Sequence, residues 1–443
     1  MKQLTRNRKK DLGLGELIAI ALGGMVGGGI FSILGIATEN IGNAAPIAIL
    51  IGGILAYFAA YSYVKLALLY KDEGATYSFF KKTFPKSKLA SSIIGWLIVF
   101  GYISTLALYA FTFSSYFCSQ FESLNNRLWQ KIVAALIISF FAIINIVSVK
   151  GMGKIEDILV YTKIIILLFI SGLLAGKADI QNLQPIFEQK TTLTSILIVS
   201  AITFVAYEGF QLVIHAYNEM SNPQRNIPKA IYSSIGIATF LYLILAIAAL
   251  GTIPKETIIA DKEFALAAGA KTYLGQFGQF IVIFGALLAT SSAISGTLFG
   301  SSRLMAVISE DGYFPKSLGS RIKTHIPHKA IITISLIAIA LLLIGGLQVI
   351  LEFGSITFII VSFLMAYSNH IKRRVTNSSP VLTIISLTGL FLGGLLIIYF
   401  EFTQNLEQFI FILIIYILLG LGAYFYSKKR IITSQQDKSD ADS

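Results

Sequence analysis

The sequence predicts an all-α polytopic membrane protein, and three observations support this fold class. The first is composition, because 55% of the 443 residues are hydrophobic and only 13% are charged, about half the charged fraction of a soluble domain. The second is a series of apolar runs long enough to cross the roughly 30 Å hydrocarbon core of a bilayer. The third is the uneven distribution of lysine and arginine among the segments that connect these runs.

Apolar runs of about 20 residues, the length that a transmembrane helix requires, recur along the whole chain. The first run is too long for the apolar region of a cleavable signal peptide, so we expect it to remain in the mature protein. A basic segment at 1–13 precedes the runs, and a tail at 427–443 follows them. The polar end of this tail, SQQDKSDADS at 434–443, is expected to lack regular structure. The runs predict twelve helices, at 14–37, 46–69, 90–117, 132–149, 158–175, 194–217, 230–252, 278–308, 330–346, 353–369, 381–400 and 408–426.

Basic residues are concentrated on one side of the predicted membrane. With the N-terminus inside, the inner segments hold 25 of the 35 Lys and Arg residues and the outer segments hold seven. Because cytoplasmic loops are enriched in Lys and Arg, both termini are predicted to lie in the cytoplasm, with the chain in the cytoplasmic (inner) membrane. This topology accounts for the net charge of +12, so the predicted partner is the lipid bilayer and not a nucleic acid.

Cysteine and histidine offer little chemistry. The single cysteine, Cys118, excludes a disulfide framework, and the four scattered histidines form no HExxH motif. A membrane-embedded enzyme would need a nucleophile–base pair or metal ligands, and the spans offer only His215, near an inner end. No catalytic residue, metal or cofactor is therefore predicted.

Five charged residues fall within the predicted spans, where charge is costly and marks a pathway or coupling site by default. They are Glu16, Lys65, Lys163, Glu208 and Arg303. Glu16, Lys65 and Arg303 lie within about two turns of an inner end, from which a long side chain can reach water. Lys163 and Glu208 lie deeper and are the candidate functional charges.

Glycine and aromatic residues predict breaks in the first and sixth spans. Gly27, Gly28 and Gly29 are consecutive, and each costs about 1 kcal/mol in a helix interior; AYEGF at 206–210 interrupts the sixth span. Irregular backbone at this depth is tolerated where it lines a cavity, whereas close packing through small residues is the alternative. Breaks five helices apart are typical of two inverted repeats, in which freed N–H groups suit a carboxylate and freed C=O groups an ammonium.

Four motifs follow one another along the chain: VGGGIF at 26–31, EGATYSFFKKTFP at 73–85, FVAYEGFQLVIHAYNEMSNPQRNIPKAI at 204–231 and SSAISGTLFGSSRLMAVISEDGYFP at 291–315. In this order they resemble the amino acid–polyamine–organocation family of secondary transporters. Gly28 replaces the usual Ser or Ala of the first motif, and Glu73 and Ala75 depart from the second. The resemblance covers about 370 residues and implies a LeuT-like fold with a five-plus-five inverted repeat, helices 1 and 6 unwound, and two additional helices. The repeats would be 14–175 and 194–369, and the additional helices 381–426.

The resemblance implies that the two breaks together bind an amino-acid substrate. Amides of the first break, at Gly28 and Gly29, would hold its carboxylate, and carbonyls near Met25, Val205 and Glu208 would accept from its amino group. Aromatic side chains of the second break would line or gate the pocket, although many relatives place an aromatic lid where this chain has Val205. The implied substrate-binding residues are Met25, Gly27, Gly28, Gly29, Phe204, Val205, Tyr207 and Glu208.

Lys163 matches a lysine in the fifth helix of proton-coupled family members, including a broad-specificity archaeal type. Sodium-coupled relatives hold a cation between helices one, five and eight. The ammonium is expected to fill that space, reaching the carbonyl of Gly23 and the hydroxyl of Ser291 or Ser292. Because burial disfavours the charged form of lysine, its protonation would bias an alternating-access equilibrium. The alternative is a fixed structural cation that bridges helices.

Glu208 has three interpretations: partner of a cationic substrate side chain, second proton site, or cap of the freed N–H groups at its own helix end. The implied function is a secondary active transporter that imports amino acids with protons. Exchange of amino acids or polyamines without net proton movement is the alternative mechanism. The sequence names neither the substrate nor the oligomeric state.

Overall fold

The fold is all-helical throughout the residues that the computed structural model describes, which are 12–124, 126–147, 152–188, 191–261, 264–321 and 326–439. Of residues 152–158 and 430–439, only the backbone is described. In these ranges the only β contact is an isolated bridge between Leu12 and Met220. The predicted all-α class is therefore confirmed. Residues 1–11 of the predicted N-terminal segment, 148–149 of the run 132–149, and 440–443 of the tail lie outside the described residues.

Seventeen α-helices follow one another in the described chain. The first nine are α1 (Leu14–Met25), α2 (Gly29–Ile41), α3 (Ala45–Tyr70), α4 (Ala75–Thr83), α5 (Lys88–Cys118), α6 (Arg127–Val147), α7 (Met152–Ala175), α8 (Leu193–Thr203) and α9 (Leu212–His215). The others are α10 (Pro223–Thr252), α11 (Lys255–Asp261), α12 (Ala265–Glu310), α13 (His328–Ile344), α14 (Leu347–Ile371), α15 (Arg373–Thr376), α16 (Pro380–Gln404) and α17 (Leu406–Ser439).

Nine helical segments of the described residues are long and apolar enough to cross a membrane, so the chain has the composition of a membrane protein. Three shorter apolar helices accompany them, at Leu14–Met25, Leu159–Ala175 and His328–Ile344. All the predicted runs fall on these helices. The run 14–37 covers the short helix Leu14–Met25 and the start of the nearly continuous stretch Gly29–Tyr70, and the run 46–69 covers the rest of that stretch. The number of membrane crossings stays a prediction.

Helices α5, α12 and α14 form the centre of the bundle. Helix α5 packs along both α12 and α14, and α10 packs along α3 and α7. The short helix α1 is enclosed by α7, α10 and α12. Since every residue of α1 from Ala21 to Met25 is buried, the end of this helix lies inside the protein and not against lipid.

Helix α12 contains a sharp irregularity at Gly275, whose φ of 69° and ψ of −166° are not helical. The predicted run 278–308 begins just after this point. The straight part from 276 to 310 is roughly 50 Å long at 1.5 Å per residue, which exceeds the roughly 30 Å apolar core of a bilayer. The helix is therefore long enough to tilt or to extend past the apolar layer, and its C-terminal end meets α4, at what we call the α4 end of the bundle.

Two expectations about helix ends are wrong. The polar end 434–443 is expected to lack regular structure, but α17 continues to Ser439, because no Gly or Pro interrupts residues 427–439. The run 353–369 was placed too late and 381–400 ended too early, since α14 begins at Leu347 and α16 ends at Gln404. These extensions bring two further carboxyl groups, Glu352 and Glu401, inside helices.

Candidate functional site

The first apolar run is interrupted between Met25, where α1 ends, and Gly29, where α2 begins. Val26 has φ −84° and ψ 76°, outside the helical region. The N–H of Gly27 turns back to bond the carbonyl of Met25 at 3.0 Å. The last carbonyls of α1 therefore lack their usual helical donors and need partners elsewhere.

Two buried tyrosines supply donors to these carbonyls. The Tyr109 hydroxyl of α5 donates to the carbonyl of Gly24 at 2.9 Å. The Tyr242 hydroxyl of α10 lies 2.8 Å from the Met25 carbonyl and 3.0 Å from that of Ala206 in the second break. Tyr242 thus links the two breaks. Neither tyrosine is predicted from the sequence, although a buried tyrosine hydroxyl usually requires a partner.

The sixth run is interrupted after Thr203, where α8 passes into a 3-10 turn over Phe204–Tyr207. Glu208 is extended, with φ −70° and ψ 135°, and Gly209 has φ +129°, which side chains of L-residues rarely adopt. A Cβ on Gly209 would lie 2.5 Å from the carbonyl carbon of Gly24. The backbones of the two breaks are therefore in direct contact.

Glu208 is buried, with 2% of its surface exposed. Its Oε2 accepts a hydrogen bond from Nε2 of Gln211 at 2.7 Å, whereas its Oε1 is buried with no hydrogen-bond partner among the described residues. The Oε1 of Gln211, and not the carboxyl of Glu208, accepts from the freed N–H of Gly209 at 3.1 Å. The capping role considered for Glu208 is therefore filled by Gln211, which the sequence analysis did not single out.

A small polar cavity lies where the two breaks meet. Gly24, Glu208 and Gly209 contribute to its wall, together with side chains of three central helices. Its volume of about 10 Å³ has room for roughly one water molecule, so an amino acid would fit only if the helices moved apart. The helix residues in the wall are Tyr102, Thr105 and Tyr109 of α5, Thr297 of α12, Phe358 of α14 and Leu212 of the short helix α9.

Gly27 and Gly28 are packed tightly against neighbouring helices. A Cβ on Gly27 would lie 2.7 Å from the Cβ of Ala293, and one on Gly28 would lie 2.6 Å from Oγ1 of Thr112. Neither distance is possible for real side chains, so these positions require glycine for packing. The close-packing alternative thus describes both residues, and neither is part of the cavity wall.

The remaining predicted residues surround the cavity without lining it. Gly29 opens α2, and a Cβ there would make its nearest contact at 3.4 Å, so this position has more room. Phe204, Val205 and Tyr207 are buried in the 3-10 turn. The Tyr207 hydroxyl donates to the carbonyl of Ile49 at 2.7 Å, which fixes the turn against α3.

Lys163 is fully buried in α7, and its Nζ donates to the carbonyl of Gly23 at 3.2 Å. The structure therefore places this ammonium against the end of α1. Ser292 of α12 is buried, and its hydroxyl has no hydrogen-bond partner among the described residues; Ser291 is half-buried beside it. The contact with Gly23 is formed, and the one with Ser292 is not.

The other three charged residues of the spans bond backbone groups. The carboxyl group of Glu16 accepts a hydrogen bond from the N–H of Gly13, at the start of its own helix, at 3.0 Å. Lys65 donates to a carbonyl 2.9 Å away, next to α15, and Arg303 donates at 2.9 Å to the carbonyl one turn earlier in α12. These contacts give each of the three residues a local structural role.

At the α4 end, hydrogen bonds join α4 to the end of α12. Asp311 accepts from Nζ of Lys81 at 2.6 Å and from the Tyr77 hydroxyl at 2.7 Å. Burial tends to raise the pKa of Asp72, but hydrogen bonds from Lys82, Gly74 and Ser78 outweigh burial and lower that pKa overall. The ionised carboxylate of Asp72 holds the start of α4 in place.

Glu73, at the same end, joins the α3–α4 connection to the chain beyond the second break. Its carbonyl lies 2.8 Å from Nδ1 of His215, and its Oε2 accepts from Nδ2 of Asn218 at 2.8 Å. The residue that departs from the family motif therefore makes two contacts that close this end of the bundle.

The fold is similar to that of a solved mutant of the manganese transporter of Eremococcus coleocola. The TM-score is 0.63 over 96% of this chain and 94% of that chain, at 14% sequence identity. This likeness establishes the fold alone. Residues 12–432 match the family model described as amino acid permease, and the chain belongs to that family.

Two relatives show how far the similarity extends. An uncharacterized protein of Methanocaldococcus jannaschii is 29% identical over 420 residues, which are 94% of each chain. The inner membrane transport protein YbaT of Escherichia coli is 30% identical over 393 residues, 87% of this chain and 89% of that protein. The similarity is therefore spread along the whole transporter fold and not limited to the motifs.

Proposed function

We propose that the protein is a secondary active transporter that carries amino acids across the cytoplasmic membrane together with protons. Membership of the amino acid permease family supports the substrate class. The observation that carries proton coupling is Lys163, a fully buried ammonium group bonded to Gly23 where α1 ends. Buried ionisable groups inside membrane proteins commonly mark ion and proton pathways.

The proposed architecture has twelve crossings, with inverted repeats at 14–175 and 194–369 and two further helices at 381–426. The breaks after Met25 and after Thr203 support this arrangement, because they fall in the first span of each proposed repeat. The excess of Lys and Arg in alternate connections supports cytoplasmic termini. The α4 end of the bundle would then face the cytoplasm.

The substrate is proposed to bind between the two breaks, with its carboxylate at the amides of Gly28 and Gly29. Its amino group would be received by the carbonyls near Met25 and Val205. The Met25 carbonyl now accepts from Tyr242, and the Val205 carbonyl from the N–H of Glu208 at 3.1 Å. Substrate binding would therefore displace or share the Tyr242 hydroxyl.

Glu208 is proposed to recognise positive charge in the substrate. Its unpartnered Oε1 belongs to a residue of the cavity wall, so an ammonium or guanidinium entering the cavity would supply the missing donor. The buried rings of Phe204 and Tyr207 would have to shift for the cavity to grow. If Glu208 instead binds a proton, removal of its charge should reduce transport of neutral and cationic substrates equally.

Lys163 is proposed to couple protonation to movement of α1. In this proposal the protonated side chain donates to Gly23, as it does in this structure, and in another state also to the hydroxyl of Ser292, which here has no partner among the described residues. Helix α7 would then hold α1 and α12 together. Loss of the proton removes the charge and one donor, which weakens this link. The equilibrium between the two access states would then shift with protonation.

Uptake into sodium-free proteoliposomes, with and without an imposed inward proton gradient, tests this function. We expect labelled amino acids to accumulate only with the gradient. Accumulation should be lost in Lys163→Ala and retained in Lys177→Ala, which changes an exposed lysine just beyond α7. A requirement for sodium, or accumulation by Lys163→Ala, would contradict the coupling mechanism. Counterflow that ignores the gradient would instead establish exchange.

A further inference from the structure

Two carboxyl side chains are buried together far from the cavity. Glu352 lies in the second turn of α14, and Glu401 lies in the last turn of α16, which packs along α14. Both residues have 0% of their surface exposed, and their carboxyl groups interact directly with each other. Neither was singled out as a charge within a span, because the predicted runs at 353–369 and 381–400 stop one residue short of them.

Most oxygens of this pair lack a donor. Nε2 of Gln348 donates to Oε1 of Glu352 at 2.8 Å. The Oε2 of Glu352 and both carboxyl oxygens of Glu401 are buried without a hydrogen-bond partner among the described residues. Three buried acceptors at one place therefore have no donor among the described residues, which is unusual because buried polar atoms are normally bonded.

No positive charge compensates the pair within the described part of the chain. The ion pairs there involve other carboxylates, and the charged group acting on each of these two carboxyls is the other one. Helices α3, α4, α5, α8, α13, α15 and α17 also pack on α14 or α16, but no charged residue described in them acts on either carboxyl. Glu407 of α17, at the same end, is exposed.

Two buried carboxylates without a cation cannot both stay ionised, because each loses its hydration and repels the other. A proton removes one charge and provides the donor that the unpartnered oxygens lack. We propose that Glu352 and Glu401 form a proton-binding site that holds at least one proton at neutral pH, separate from Lys163 and Glu208.

The site is connected to the cavity through α14. Two hydrogen bonds hold this helix to its neighbours: Oγ of Ser104 donates to the carbonyl of Ile350 at 2.5 Å, and Oγ of Ser355 donates to the carbonyl of Ile202 at 2.7 Å. Phe358, farther along α14, contributes to the cavity wall. A proton shared across the pair would hold α16 to the helix that forms this wall, and ionisation of both carboxyls would push the two helices apart.

Infrared spectroscopy of the purified full-length protein tests the proposal without any transport assay. The double variant Glu352→Gln/Glu401→Gln keeps the side-chain shapes and removes both carboxyls. We expect the parent-minus-variant spectrum at neutral pH to contain the C=O band of a protonated carboxylic acid. Glu407→Gln, at the exposed neighbouring position, should remove only carboxylate bands. Loss of carboxylate bands alone in the double variant would overturn the proposal.

Two further measurements keep the test decisive. If the double variant does not fold, Glu401→Gln alone should shift or remove the carboxylic-acid band, because the proton loses its neighbour; an unchanged band overturns the proposal. Thermal stability with added sodium, potassium or calcium distinguishes a proton from a metal cation. We expect equal responses in the parent and in the variant, whereas cation-dependent stabilisation confined to the parent would make this a cation site.

Discussion

Gly209 and Gly24 contact each other backbone to backbone, because a Cβ added to Gly209 would lie only 2.5 Å from the carbonyl carbon of Gly24. The two helix breaks are thus one structural unit, and Tyr242 ties the same two segments through the carbonyls of Met25 and Ala206. A movement of α1 would therefore be transmitted directly to the chain around Glu208.

The first prediction concerns this contact. Gly209→Ala should destabilise the protein, because alanine is strained at φ +129° and its Cβ has no space. Strain of this kind costs about 1–3 kcal/mol before any steric clash is counted. Gly172→Ala is the matched control, since a Cβ there meets nothing within 4 Å in the interior of α7. Thermal unfolding in detergent should show a clear loss for Gly209→Ala only; equal melting temperatures would contradict the contact.

The second prediction concerns the tyrosine that links the breaks. Tyr242→Phe removes the one O–H proton available to the carbonyls of Met25 and Ala206. Met25 keeps the N–H of Gly27 as a donor, so the cost of about 1–3 kcal/mol falls on the carbonyl of Ala206. We expect a lower unfolding temperature and slower amino-acid uptake. Tyr424→Phe, on an exposed tyrosine of α17, should change neither. A Tyr242→Phe protein as stable as the parent would mean that water or another group satisfies these carbonyls.

The sequence predicts the helices and the region of the site better than it predicts the contacts within the site. Apolar runs follow from bilayer thickness, so they locate the helices without any knowledge of their packing. The partners of the freed carbonyls come from helices distant in sequence, and Tyr109 and Tyr242 look like ordinary aromatic residues of apolar runs. Glu352 and Glu401 mark the edges of runs chosen by hydropathy, yet the folded helices extend past them and bury both.

The third prediction separates the two remaining interpretations of Glu208. Glu208→Gln keeps the side chain's shape and its position beside Gln211 but removes the charge. If the carboxylate pairs with cationic substrates, uptake of lysine or arginine should fall at least about tenfold more than uptake of alanine, equivalent to about 1.4 kcal/mol. Glu122→Gln, on an exposed carboxylate, is the control. Equal loss for all substrates would instead favour proton binding at Glu208.

The fourth prediction concerns closure of the α4 end. Asp311 joins the end of α12 to Lys81 and Tyr77 of α4, so Asp311→Asn should weaken this link and favour states in which the cavity opens towards α4. A partly exposed ion pair contributes up to about 1 kcal/mol, which corresponds to roughly a fivefold change in population.

The single native cysteine makes this prediction measurable. In a Cys118→Ser background, Thr105→Cys places one thiol on the cavity wall, and a membrane-impermeant reagent can be applied to either face of the membrane. Asp311→Asn should raise the labelling rate from the face that carries α4 and leave labelling from the other face unchanged or lower. Asp179→Asn is the control, because Asp179 lies in the connection that follows the C-terminal end of α7. This substitution should not raise labelling from the face that carries α4. Opening the α4 end should expose the cavity wall, and with it the thiol at position 105. The same labelling rate with and without Asp311→Asn would therefore show that the contacts of Asp311 do not control access to the cavity.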